Sequence, residues 1–238
     1  MQSADPEARE YVMGIEPVWD PAGKSALLRF RFQTADGREA GAFQTVHERE
    51  LHVFVVDRNL QFFEHVHPAR DGSGEFSLRM AFPRLGEYMF FADFAPLGAA
   101  PQLLQQLLIT PTFRGRMDIP ALWPASGDQV SQGVRFSLTL EEFRAASPAL
   151  LTFFVTDAET GAPIGDLEPY LGAAGHLFLV NAGLEDGSHS HPLEASPGPS
   201  VRFLTRFNTA GIYRIWLQVK RRGQVITVGW TLDVPEPR

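Results

Sequence analysis

Apolar and polar residues alternate with period two along Leu28-Arg-Phe-Arg-Phe, Val134-Arg-Phe-Ser-Leu-Thr-Leu and Val201-Arg-Phe-Leu. That is the signature of half-buried β-strands. Val53-Phe-Val-Val and Leu151-Thr-Phe-Phe-Val are short apolar runs rich in β-branched and aromatic residues, and read as strands buried on both faces. Clusters of Gly, Pro, Asp and Asn separate these runs. Helical spacing is found only in Pro101-Gln-Leu-Leu-Gln-Gln-Leu-Leu. An internal repeat argues against a helix there, because the segment corresponds to the strand-like Val225-Ile-Thr-Val-Gly-Trp-Thr-Leu.

The repeat organises the whole chain. A shift of 124 carries Gly37 onto Gly161, Phe43 onto Leu167 and His52 onto His176; a shift of 125 then carries Phe82, Gly86 and Tyr88 onto Phe207, Gly211 and Tyr213. One inserted residue between His191 and Phe207 is what a surface loop tolerates. The 238 residues therefore divide into two domains, placed at 8–112 and 113–238, with a Pro-containing strap from Ile119 to Gly127. Many short strands separated by turns predict an all-β fold of two tandem Greek-key sandwiches, with an immunoglobulin-like hint in one motif. Gly86-Glu-Tyr88 and Gly211-Ile-Tyr213 suit the tyrosine that such domains place at the start of a late strand, or two aromatics that simply fill the core. Phe90 and Ile215 stand two residues beyond, where a disulfide-bonded domain has cysteine.

Composition narrows the function. Hydrophobic content of 44% with 21% charge belongs to a folded, globular chain. A net charge of −7 without a basic stripe argues against nucleic acid and anionic membrane surfaces as partners. Lys220-Arg221-Arg222 runs directly into Gly223 and reads as a solvated hairpin tip. No stretch approaches the roughly 18 apolar residues of a membrane span. The absence of cysteine excludes disulfides, thiolate metal sites and cysteine nucleophiles, and suits an oxidising compartment. The opening Met1-Gln-Ser-Ala-Asp-Pro carries no leader pattern, which fits either a cytoplasmic protein or one whose signal peptide has been replaced by an initiating Met.

All seven histidines fall in two windows. His52, His65 and His67 are spaced by 13 and 2 residues, His176, His189 and His191 repeat that spacing, and each set ends in a His-Pro step. With Arg58-Asn59 as a two-residue turn, Asp57 pairs Leu60 and His52 falls opposite His65, with His67 beside them on the same face. Ala182-Gly183 as the turn does the same for His176, His189 and His191, and Asn59 and Gly183 supply the tolerance of positive φ that such turns ask for. Three imidazoles so placed can meet on one ion about 2 Å from each. A set of neutral nitrogens without thiolate favours copper, with zinc as the alternative, over calcium or magnesium. His47 and Glu50 are further candidates at the first site; their counterparts Leu171 and Ala174 cannot ligate, so the first site is expected to be the stronger. The alternative is that duplication has copied histidines that brace a hairpin in a metal-free adhesion or interaction module. A three-histidine metalloenzyme is a further alternative. No Gly-x-Ser-x-Gly elbow, P-loop or His-Glu-x-x-His occurs, and the serines beside His189 and His191 point to the opposite face, so no catalytic residue is assigned.

His47-Glu-Arg-Glu-Leu-His52-Val-Phe-Val-Val with Phe63-Glu-His65-Val-His67-Pro, and Asp166-Leu-Glu-Pro-Tyr170-Leu-Gly-Ala-Ala-Gly-His176-Leu with His189-Ser-His191-Pro, resemble segments of bacterial secreted or periplasmic tandem β-sandwich proteins of immunoglobulin-like or cupredoxin-like fold. The shared stretches are "DLxPYLGAxGH" and "HxHP". The resemblance covers most of both halves and implies a periplasmic or secreted location, a signal peptide absent from this chain, and a link to copper or other heavy-metal handling, with a metal-handling protein as partner. Gly187-Ser-His-Ser-His is more polar than the usual approach to the pair.

Overall fold

The computed structural model describes residues 11–71, 75–115, 122–141 and 143–237. It separates into two compact units, Met1–Pro120 and Ala121–Arg238. The described elements are all strands. Among these residues no helix is long and apolar enough to cross a membrane.

In the first unit, β1 (Tyr11–Trp19), β2 (Ser25–Thr34), β5 (Ala69–Arg70) and β6 (Phe76–Ala81) form one sheet in the order β1-β2-β6-β5. The other sheet runs β4-β3-β7-β8, from β3 (Leu51–Asp57), β4 (Phe63–Val66), β7 (Glu87–Phe94) and β8 (Gln102–Ile109). All pairings are antiparallel, and the chain changes sheet between β4 and β5. This is the strand order of an immunoglobulin-like Greek-key sandwich. The Pro101–Leu108 segment lies in strand β8, as the repeat requires.

The second unit repeats the plan. β9 (Gln129–Ser131), β10 (Val134–Glu141), β11 (Pro148–Asp157) and β14 (Ser200–Arg206) form a sheet ordered β14-β11-β10-β9. β12 (His176–Asn181), β13 (Gly187–Ser190), β15 (Gly211–Arg221) and β16 (Gln224–Val234) form β13-β12-β15-β16. The units differ at both edges of this sheet: the first adds β5 beside β6, and the second adds β9 beside β10, the counterpart of β1. Residues 119–121 of the expected strap lie outside the described residues. Its far end belongs to the second unit: Ala125 bridges Thr231, and Gly127 O accepts the Trp230 indole N–H at 2.9 Å.

Each sandwich buries the inward half of its alternating strands. Leu28, Phe30, Val53, Val55, Tyr88 and Phe90 fill the first core; Phe136, Leu151, Phe153, Leu179, Ile215 and Trp230 fill the second. Phe90 and Ile215 are fully buried at the position where cysteine would stand. Tyr88 forms the expected corner, donating its hydroxyl to Arg84 O at 2.8 Å. Tyr213 instead donates to the Asp186 carboxylate and lies 2.9 Å from Thr209 Oγ1. The Lys220–Gly223 run is a hairpin tip, with Arg222 and Gly223 at positive φ between β15 and β16.

Candidate metal centre

Each triad is built on one hairpin, β3–β4 in the first unit and β12–β13 in the second. The hairpin loop is longer than a two-residue turn. Leu60 N–H donates to Asp57 O, and the Asp57 carboxylate then accepts from Gln61 N and Phe62 N, both at 2.9 Å. Asn181 does the same with Leu184, Glu185 and Asp186. Leu60 and Leu184, not Asn59 and Gly183, take the left-handed conformation, at φ 57° and 64°. Asp57 therefore does not pair Leu60, and the register moves by two: Phe54 opposes His65 and Phe178 opposes His189. Continuing that register places His52 level with His67 and His176 level with His191. Side chains alternate with period two, so a slip of two keeps every histidine on its expected face.

The imidazoles converge. His52 Nδ1 lies 3.1 Å from His65 Nε2, and His67 Nε2 lies 3.2 Å from the same atom. In the second unit His176 Nδ1 lies 3.1 Å from His189 Nε2, and the His189 and His191 ring centroids are 4.3 Å apart. In each triad one ligand atom per residue lies within 4.8 Å of the others. Tetrahedral ligation with bonds of about 2.0–2.1 Å separates nitrogens by about 3.3 Å, so the spacing suits an ion held between them.

The outer nitrogen of the buried histidine is fixed by a turn. His52 Nε2 bonds Val46 O at 3.0 Å, and His176 Nε2 bonds Tyr170 O at 2.9 Å. A carbonyl can only accept, so Nε2 carries the proton and Nδ1 presents a lone pair to the cluster. Val46–Arg49 and Tyr170–Ala173 are tight reciprocal turns with positive φ at both central residues, His47-Glu48 and Leu171-Gly172, the type I′ pattern. His47 thus stands on the turn that orients His52, outside the three converging rings. Glu50 is engaged by Arg70 at 3.2 Å. Gly175 leads into His176 where an added Cβ would meet Gln218 O at 2.8 Å, so the close strand approach there requires glycine.

Burial favours the neutral form of His52 and His67. His52 is 3% exposed and His176 1%. Desolvation lowers the His52 pKa against the opposing Val46 bond and Asp93 charge. His67 is pushed down to about 3, first by burial, then by His52 and Arg49. Neutral imidazoles are the form that ligates. Ser190 turns away from the cluster and bonds Thr205 Oγ1 at 3.0 Å.

A family described as a domain of unknown function, DUF8832, matches the chain twice, at residues 12–103 and 128–236. The chain belongs to the DUF8832 family. Each DUF8832 segment contains one complete triad. No curated protein matches the chain. Among solved structures, the chicken interferon gamma receptor alpha chain is similar at 11% identity, over 96% of this chain and 100% of that one, with a TM-score of 0.30. A two-domain fibronectin type III segment of chicken tenascin is similar at 9% identity, over 93% and 98%, with a TM-score of 0.28. The structure adds one residue that sequence reasoning missed: Asp93 on β7 pairs His52 across the sheet. Only the β3–β7 register could have revealed it.

Proposed function

We propose that this DUF8832 protein binds a transition metal, copper ahead of zinc, through His52, His65 and His67 in one domain and His176, His189 and His191 in the other. Its role is sequestration, delivery or sensing outside the cytoplasm, in exchange with a metal-handling protein, and not turnover. The observation that carries the reading is the paired arrangement of nitrogens. In each triad the buried histidine anchors its outer nitrogen on a turn carbonyl and turns the inner one toward its neighbours. Metal-ligating histidines are ordinarily oriented by such outer bonds. Nitrogen donors rank Cu(II) above Zn(II), and a chain without cysteine suits an oxidising location.

Calorimetric titration with Cu(II) and Zn(II) tests this on the unaltered chain and on a His52→Ala/His65→Ala variant. The expected result is about one ion per triad, with one lost in the variant. Absence of binding to the unaltered chain would leave a metal-free module whose histidines bond to one another. Oxygen consumption or hydrolysis by the loaded protein would instead support a catalytic role.

A further inference from the structure

The two triads share three histidines but not the residue beneath them. His52 on β3 pairs Asp93 on β7, and His176 on β12 pairs Gln218 on β15. Directly paired residues project from one face with Cβ atoms about 5 Å apart, so the first triad has a carboxylate at its side and the second an amide. The Asp93 carboxylate is the strongest charged influence on His52, ahead of His47 and Arg49, though burial outweighs all three. Gln218 is 7% exposed and donates Nε2–H to Thr227 Oγ1 at 3.0 Å.

The other charges near the first triad are arranged differently. Arg49 is exposed and bonds Glu48 O, and Glu50 is held by Arg70. Solvent screens exposed Arg49 strongly, while Glu50, half-buried like Asp93, has its charge offset by the ion pair with Arg70. The second-domain counterparts of Glu48, Arg49 and Glu50 are Gly172, Ala173 and Ala174. Asp93 therefore sets a carboxylate beside the first triad, where the second has the Gln218 amide.

We propose that Asp93 makes the first triad the divalent-ion site, while Gln218 leaves the second relatively selective for monovalent copper. This rests on the reading that the triads bind metal. The warrant is Coulomb's law: at a given distance a carboxylate attracts a doubly charged ion with twice the free energy it gives a singly charged one. Its factor in affinity for Zn(II) or Cu(II) is then the square of its factor for Cu(I).

Competition against chromophoric chelators on the full chain tests this, with Zn(II) and, under anaerobic conditions, Cu(I). His176→Ala/His189→Ala isolates the first site and His52→Ala/His65→Ala the second. Adding Asp93→Asn to the first is expected to weaken Zn(II) about tenfold and Cu(I) only about threefold. Adding Gln218→Glu to the second is expected to strengthen Zn(II) by a similar factor and Cu(I) by its square root. The reciprocal variant decides the matter if Asp93→Asn fails to fold. Equal changes for the two ions, or none, would overturn the charge sorting and leave metal binding standing. Failure of both ions to bind the unaltered chain would instead remove the metal reading itself.

Discussion

Tyr88 and Tyr213 occupy equivalent places, yet their hydroxyls meet different partners because of one neighbouring position. Phe62 packs edge-on against Tyr88 at 5.5 Å between centroids; its counterpart is Asp186, whose carboxylate takes the Tyr213 hydroxyl. Asn208 and Thr209 also donate backbone N–H groups to that carboxylate, at 3.1 and 3.2 Å. Burial, then the Asp186 bond, raise the Tyr213 pKa to about 12 from an ordinary 10.0. A phenol whose folded pKa is raised contributes its stability fully below the unfolded value and loses it as pH rises through the folded one. The second domain should accordingly weaken between pH 10 and 12, by on the order of 2 kcal/mol. Urea unfolding at pH 9 and pH 11 checks this, and Tyr213→Phe should flatten the dependence. An equal loss in the variant would show that another group titrates. The same contrast marks how far residues can be read singly. Both tyrosines and all six triad histidines stand out in the sequence, whereas Asp186 and Asp93 acquire meaning only from what folding sets beside them.

The hairpin shows which part of an element is legible without coordinates. Period-two alternation places three histidines on one face, and an even slip in register leaves that face unchanged. The register itself was not legible, because it depends on the Asp57 and Asn181 side chains. Each caps two successive N–H groups and widens the loop, an arrangement that asparagine and aspartate offer in competition with a tight turn. The cost of that loop is Leu60 and Leu184 at positive φ, roughly 1 kcal/mol each for a branched residue. Both leucines are buried, at 2% and 1% exposure, which offsets it. The second domain performs the capping with a neutral amide, so the carbonyl-type oxygen matters more than the charge. Asp57→Asn should therefore cost under about 1 kcal/mol, the loss of its ion pair with half-exposed Arg84. Asp57→Ala, which strands two N–H groups, should cost about 2–3 kcal/mol and loosen β4. Urea midpoints rank the two, and equal effects would show that the ion pair, not the cap, holds the loop.

Across the whole molecule, duplication has kept the sandwich and its triad while each unit changed at its edges and beside its histidines. That freedom is physically reasonable if each unit's stability comes from its own interior. The first core is assembled from β1, β2, β3, β6, β7 and β8 with neighbouring loops, and the second from β10, β11, β12, β14, β15 and β16 with theirs. Phe90 offers a direct trial. It is fully buried and packs in a tilted contact against Phe30, with ring centroids 6.3 Å apart, and it projects from β7 opposite to Asp93, away from the histidine face. Phe90→Ala removes a large side chain from a close-packed interior and should cost about 3–5 kcal/mol. A domain of this size has about 5–15 kcal/mol of stability, so the first unit should still fold but unfold at a lower denaturant concentration. The expected trace is two transitions, of which the second keeps its original midpoint. A single transition shifted as a whole would mean that the two interiors unfold as one cooperative body, and that the repeats are independent in sequence but not in stability.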